Sequence, residues 1–146
     1  MQFKRLSIAE LESLQGDFIK FLALQGIDSI AWESIKEKEP SQTEQLIEAF
    51  SDLIYAATLD KIQFLMKSQG NLMFIFEMRS ELAKLNIYEI SGYLDSPEHI
   101  NNHNVKLISS ETKTFQTSRQ SEIFTLLESG CTICTTDVFK AFDRIV

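Results

Sequence analysis

Several residue types that carry recognisable functions are scarce in this chain of 146 residues. It has two cysteines, two histidines and two prolines, and its five glycines are scattered rather than gathered into a phosphate-binding loop. No run of about 18 apolar residues occurs, so we predict no transmembrane helix. The two cysteines lie too close together for a disulfide framework, and no signal-peptide pattern opens the chain. Both features favour a reducing, cytoplasmic location.

Clustered positive charge is also missing. The net charge is −7, and lysine and arginine do not concentrate in any part of the sequence. Non-specific binding to nucleic acid and to anionic membrane surfaces requires clustered basic side chains. We therefore expect neither nucleic acid nor membrane as a partner.

What is present indicates a folded protein with a substantial core. Apolar residues make up 44% of the chain and charged residues 24%, which is ordinary for a folded domain. Eleven phenylalanines, three tyrosines and Trp32 supply much of the surface that a core must bury. The length fits one domain over residues 1–146.

Cap motifs predict two helices near the start of the chain. Ser7 and Glu10 form a Ser-x-x-Glu capping box, which begins a helix that we expect to end at Gly26. Asp28 or Ser29 can cap a second, short helix.

A long helix should follow. Pro40 ends the short helix, and Ser41 with Glu44 forms another capping box. Apolar residues then recur at helical spacing to about Lys67, before Gly70–Asn71 breaks the pattern.

The remainder predicts short strands and two further helices. We expect strands over Leu72–Met78, Lys84–Ser91 and Val105–Ser109, and helices over 118–129 and after a cap at Thr135 or Thr136. A break in the alternation near Tyr88 predicts a β-bulge in the second strand. The fold class is therefore α+β. An N-terminal helical hairpin and a long spine helix pack on a small, mostly antiparallel sheet, closed by two C-terminal helices.

Every cysteine and histidine lies in one of two short pairs. Cys131 and Cys134 form Cys-Thr-Ile-Cys, and His99 and His103 form His-Ile-Asn-Asn-His in a polar loop. Four thiol and imidazole ligands in two pairs suit a tetrahedral zinc site. The alternative is that the thiols are small buried residues and the imidazoles are solvated.

Other chemistries have weaker support. A redox Cys-x-x-Cys places its first thiol at a helix N-terminus, whereas here Cys131 precedes the last helix by several residues. A hydrolytic triad needs a held histidine, and both histidines lie in the polar loop. Glu44, Glu48 and Asp52 share one helix face that could bind a divalent cation, but an exposed acidic face explains them as well.

Two features favour contacts with a partner. The aromatic strand Leu72–Met78 would pair with another chain if it lay at a sheet edge, and Trp32 could anchor an interface. The alternative for Trp32 is burial in the protein's own core.

Part of the chain resembles a family of short uncharacterised bacterial proteins, typical of Bacteroidetes, that is classed as a domain of unknown function. The resemblance is carried by helix caps, turns and core positions, and it covers about a third of the chain well. The matching segments are Arg5–Ser7, Glu10–Glu12, Phe18–Ala23, Gly26–Asp28, Trp32–Glu33, Ile35–Lys36, Ser121–Phe124, Leu126–Leu127 and Gly130. The resemblance implies a cytoplasmic bacterial domain and supplies no catalytic or binding residues.

We interpret the chain as a non-enzymatic domain that acts through protein–protein contacts, either with another protein or as a homodimer. The alternative is a small zinc-binding protein or metal-dependent enzyme that uses His99, His103, Cys131 and Cys134. Apart from that zinc ion, no cofactor is expected.

Overall fold

The computed structural model describes residues 1–146 and has the predicted α+β composition, with six α-helices and one five-stranded antiparallel sheet. The chain forms two compact units, Met1–Thr58 and Leu59–Val146. No helix combines the length and the hydropathy that crossing a membrane would require.

Helices dominate the first unit. They are α1 (Ile8–Ser13), α2 (Gln15–Leu24), α3 (Ser29–Lys38) and α4 (Pro40–Asp60), the last of which continues two residues past the unit's end.

The first predicted helix is interrupted. The capping box at its start is present, since the Ser7 hydroxyl accepts from the Glu10 amide and the Glu10 carboxylate accepts from the Ser7 amide. The helix then stops at Leu14, and α2 begins at the next residue and ends before Gly26, whose φ of +78° favours glycine.

The starts of α3 and α4 show two different uses of local sequence. Asp28 caps α3 as predicted, its carboxylate accepting from the Ala31 amide at 2.8 Å. Pro40 separates α3 from α4 but is itself the first residue of α4. Proline suits that position because its fixed φ is helical and its missing N–H would have had no intrahelical partner.

The predicted end of the long helix is wrong. Helix α4 stops at Asp60, and residues Phe64–Gln69 form strand β1 instead of reaching Lys67 as helix. This strand pairs with β2 (Leu72–Met78) in an antiparallel hairpin. The two-residue turn has Gly70 first, at a φ of +60°, as the tight turns of such hairpins require.

The sheet is completed by three further strands. They are β3 (Leu82–Ile90), β4 (Val105–Thr114) and the short β5 (Thr132–Ile133), in the spatial order β4-β3-β2-β1-β5. Strand β2 is therefore central, and the idea that Leu72–Met78 lies at an edge is wrong. The predicted bulge occurs in the ladder between β3 and β4, where the register shifts at Ile87/Tyr88. The extra residue is Ile108, on β4 rather than β3.

The second unit packs its core on one face of this sheet. Helix α5 (Arg119–Glu128) is followed by β5 and then by α6 (Thr136–Asp143), which Thr135 caps as predicted. From α6, Phe142 lies 5.0 Å from the Tyr88 ring and Phe139 stacks on Phe64 at 3.9 Å, as ring-centroid distances. The core cluster on this face comprises Ile75, Tyr88, Val105, Cys134, Phe142 and Ile145.

Candidate functional site

The two cysteines flank β5 and are both buried and unpaired. The Cys134 amide donates to the Phe64 carbonyl at 2.9 Å, which fixes this residue at the end of the β1–β5 pairing, and its side chain belongs to the core cluster. Burial raises the pKa of the Cys134 thiol from 9.0 to about 11. Removing a thiol from water disfavours its charged form, which is the form that binds metals and attacks disulfides.

The histidines occupy the segment between β3 and β4. His99 ends a single 3-10 turn (Pro97–His99), and its ring lies against the Asp95 carboxylate, with both side chains about half exposed. Side-chain amides hold this segment: Asn101 accepts from the His103 amide at 2.9 Å, and Asn104 accepts from the Asn101 amide at 3.1 Å. A segment that composition alone suggests to be loose is thus ordered by its asparagines.

The predicted zinc ligands are not gathered into one site. Nowhere does the structure bring together three or more histidine, cysteine, aspartate or glutamate side chains in a group that could hold a metal ion. Two of the four candidates are buried thiols beside β5, and the other two are exposed imidazoles in the segment before β4. The zinc site remains a prediction to be tested by metal analysis.

The acidic face of α4 holds the N-terminal segment. The Asp52 carboxylate accepts from the amides of Gln2 and Phe3, at 2.7 and 2.9 Å, and Glu44 pairs with the Arg5 guanidinium. Two of the three acids that sequence spacing places on one face are therefore engaged with the protein's own chain. That use explains the acidic row without a bound cation.

A groove between α2 and α3 is a concave, mostly apolar surface of the first unit. Its volume is about 510 Å³. Phe18, Ile19 and Leu22 line it from α2, and Trp32 lines it from α3. Two of the lining rings pack closely, since the ring centroid of Phe18 lies 5.2 Å from that of Trp32 in a T-shaped contact. Phe50 of α4 extends this aromatic cluster, 5.0 Å from Phe18.

Trp32 is neither core nor fully exposed. It is half-buried, with one edge against Phe18 and the Lys36 ammonium 5.7 Å from its ring centroid. The sequence leaves open whether this residue belongs to a core or to an interface. Trp32 lies in the wall of the groove, and large aromatic side chains in such positions often act as the anchors of protein–protein interfaces.

Helices α2 and α3 also carry exposed apolar side chains. Ile19, which lines the groove, is 58% exposed, and Leu24 and Ile30 on the same two helices are 86% and 80% exposed. Isolated exposed apolar residues are ordinary, but an exposed apolar side chain in the wall of an apolar groove is typical of an interaction surface.

A cavity in the second unit has a smaller volume than the groove. It lies between the sheet residues Met66 and Met73 and the Leu94–Ile100 segment, with a volume of about 230 Å³. Pockets that enclose metabolite-sized ligands are usually about 300–1,000 Å³. Its charged member, Asp95, is the carboxylate that contacts His99, so no set of catalytic groups converges there.

These observations define an α+β protein with an apolar groove, buried cysteines and no group of three or more histidine, cysteine, aspartate or glutamate side chains that could hold a metal ion. The chain belongs to DUF6495, a family of unknown function whose model matches residues 1–146. No curated protein and no solved structure matches it.

Proposed function

We propose that this protein is a non-enzymatic domain that acts through protein–protein contacts, and that the groove between α2 and α3 is its binding surface. The observation that carries the proposal is the half-buried Trp32 in an apolar groove that the 58% exposed Ile19 also lines. Burying such side chains stabilises a complex by roughly 25 cal/mol per Å² of apolar surface before the costs of association.

The shape of the groove and the net charge of the chain favour one kind of partner. A groove between two helices accepts an amphipathic segment whose apolar side chains enter it at helical spacing. Since the chain carries a net charge of −7, a partner with basic residues flanking its apolar anchors would be favoured on approach. We place this interaction in the cytoplasm, in support of which both cysteines are free thiols.

A test can use Trp32 as the reporter, because it is the only tryptophan in the chain. The wild-type protein and an Ile19→Asp variant would serve as baits in an extract of the cells that make the protein. Any protein retained by the wild type and lost by the variant would be purified and titrated back. We expect its binding to shift the Trp32 emission of the wild type.

The matched control is Ile133→Asp. Ile133 is 59% exposed, close to the 58% of Ile19, but it lies on β5 of the second unit and is not among the residues that line the groove. The control should retain the partner. If no protein distinguishes wild type from Ile19→Asp, or if the captured protein leaves Trp32 emission unchanged, the groove is not the binding surface.

A further inference from the structure

Strand β4 is a long, open edge of the sheet. It spans ten residues, Val105–Thr114, and pairs on one side alone, with β3. Every residue from Ile108 to Thr114 is exposed. The opposite edge is β5, which has two residues. An exposed edge of this length presents unpaired main-chain groups to which another strand can add.

The hydrogen bonding of β4 determines which of its groups point outward. The Phe115 amide donates to the Glu81 carbonyl at 3.2 Å, so this position faces β3. Main-chain groups alternate between the two sides of an antiparallel strand. The N–H and C=O groups of Ser110, Thr112 and Thr114 therefore point away from β3, toward solvent.

Two side chains of opposite charge flank Thr112 in the exposed part of β4. Glu111 and Lys113 flank Thr112, are both exposed, and point to the same face of the sheet because they are two residues apart. When two such strands pair antiparallel about a two-fold axis at Thr112, each Glu111 lies directly opposite Lys113 of the second copy. The outward groups of Ser110, Thr112 and Thr114 then meet those of Thr114, Thr112 and Ser110.

We propose that two copies of this protein associate through β4, in antiparallel register centred on Thr112, to form one continuous sheet. In this register hydrogen-bonding positions face each other and both cross-strand charge pairs are attractive. Moving the axis to Ser110 would place Lys113 opposite Leu107 and Glu111 opposite Ser109, which removes both charge pairs. Charges on an edge usually deter pairing, but here they are complementary to themselves.

The same geometry limits the assembly to two copies. Pairing through β4 uses that edge in both copies, and each free edge of the combined sheet then consists of the two-residue β5 and the last three residues of β1, 67–69, which β5 leaves unpaired. Segments of two and three residues are too short to recruit another strand stably. A closed dimer, rather than a fibre, is the expected product.

Sedimentation equilibrium over a concentration series tests this proposal. We expect the wild-type protein to be a concentration-dependent dimer. Thr112→Pro should be monomeric yet folded, because the lost N–H points outward and makes no bond to β3. Circular dichroism and the urea midpoint would verify that this variant is folded. A wild-type protein that stays monomeric at concentrations up to about 1 mM would have a dimer dissociation constant above that value, and this result overturns the proposal.

Charge reversal tests the register. Glu111→Lys and Lys113→Glu each place like charges opposite one another twice in the dimer, and we expect each to weaken dimerisation about ten-fold. The double variant restores opposite charges and should return dimerisation to within about three-fold of the wild type. The control reverses Glu128 and Lys140, two exposed charges on α5 and α6, and should change nothing.

The remaining outcomes separate this proposal from the groove. A dimer lost in Ile19→Asp but kept in Thr112→Pro would overturn pairing through β4 and leave the groove as the binding surface. A dimer lost in Thr112→Pro but insensitive to either charge reversal would overturn the register. Loss of the dimer in Thr112→Pro supports the surface. Weakening of the dimer in each single charge reversal, with recovery in the double reversal, supports the register.

Discussion

At the scale of single residues, Arg119 makes the densest set of side-chain hydrogen bonds in the second unit. Its guanidinium donates to the carbonyl oxygens of five residues, three of them within or just after the end of α4 and two at the end of β2. These residues are Leu59, Asp60, Ile62, Met78 and Arg79. One planar cation thereby satisfies the carbonyl groups with which a helix and a strand end.

We expect Arg119→Ala to lower the free energy of unfolding by about 2 kcal/mol, since hydrogen bonds to a charged donor contribute more than neutral ones and the carbonyl groups would lose their partner. Arg119→Lys should recover part of this, because an ammonium cannot reproduce the guanidinium fork. Urea denaturation measures both. Arg144→Ala, at an exposed position after α6, is the control and should change stability by less than about 0.5 kcal/mol.

The raised pKa of the Cys134 thiol leads us to expect a loss of stability at alkaline pH. Burial raises its pKa from 9.0 to about 11, so the folded protein keeps the proton over a range in which the unfolded chain has lost it. Stability therefore falls as the pH rises above 9. Cys134→Ala should reduce this fall. We would measure urea unfolding at pH 8 and pH 10 in the presence of a reductant.

The comparison needs a control because the pKa of Tyr88 is also raised by burial, from 10.0. Tyr88→Phe separates the two contributions. An equal fall between pH 8 and pH 10 in wild type and Cys134→Ala would show that this thiol does not contribute.

At the scale of secondary-structure elements, helix α6 covers the face of the sheet that carries the core cluster. Phe142 is 2% exposed and its ring lies 5.0 Å from that of Tyr88. Phe142→Ala should cost about 3–5 kcal/mol, the usual cost of emptying an aromatic site in a core. Lys140→Ala, on the exposed side of the same helix, should cost almost nothing. Thermal and urea unfolding would show whether the two differ as expected.

Elements whose ends depend on local chemistry are predictable from sequence. The caps at Ser7, Asp28 and Thr135 are examples, because each side chain bonds to an amide about three residues away. Strand β1 is not predictable in this way. Phe64–Gln69 has residues that suit a helix, and its hydrogen bonds to β2 and β5 decide its conformation.

At the scale of the whole molecule, the zinc hypothesis depends on whether segments far apart in the chain meet. Since the four ligands form no metal-binding group, we expect purified protein to contain much less than one zinc per chain. Elemental analysis measures this, with Cys131→Ser as the control. One zinc per chain in the wild type, lost in Cys131→Ser, would establish the zinc site.

The sequence by itself determines the fold class of this protein, the positions of most helices, the even spread of lysine and arginine along the chain, and the placement of its cysteines and histidines in two short sequence motifs. These properties follow from composition and from interactions over a few residues. The tertiary structure decided that the thiols are buried, that β2 is central, and that β4 is the long open edge. It did so because burial and strand order depend on contacts between residues far apart in the chain, which no local pattern specifies.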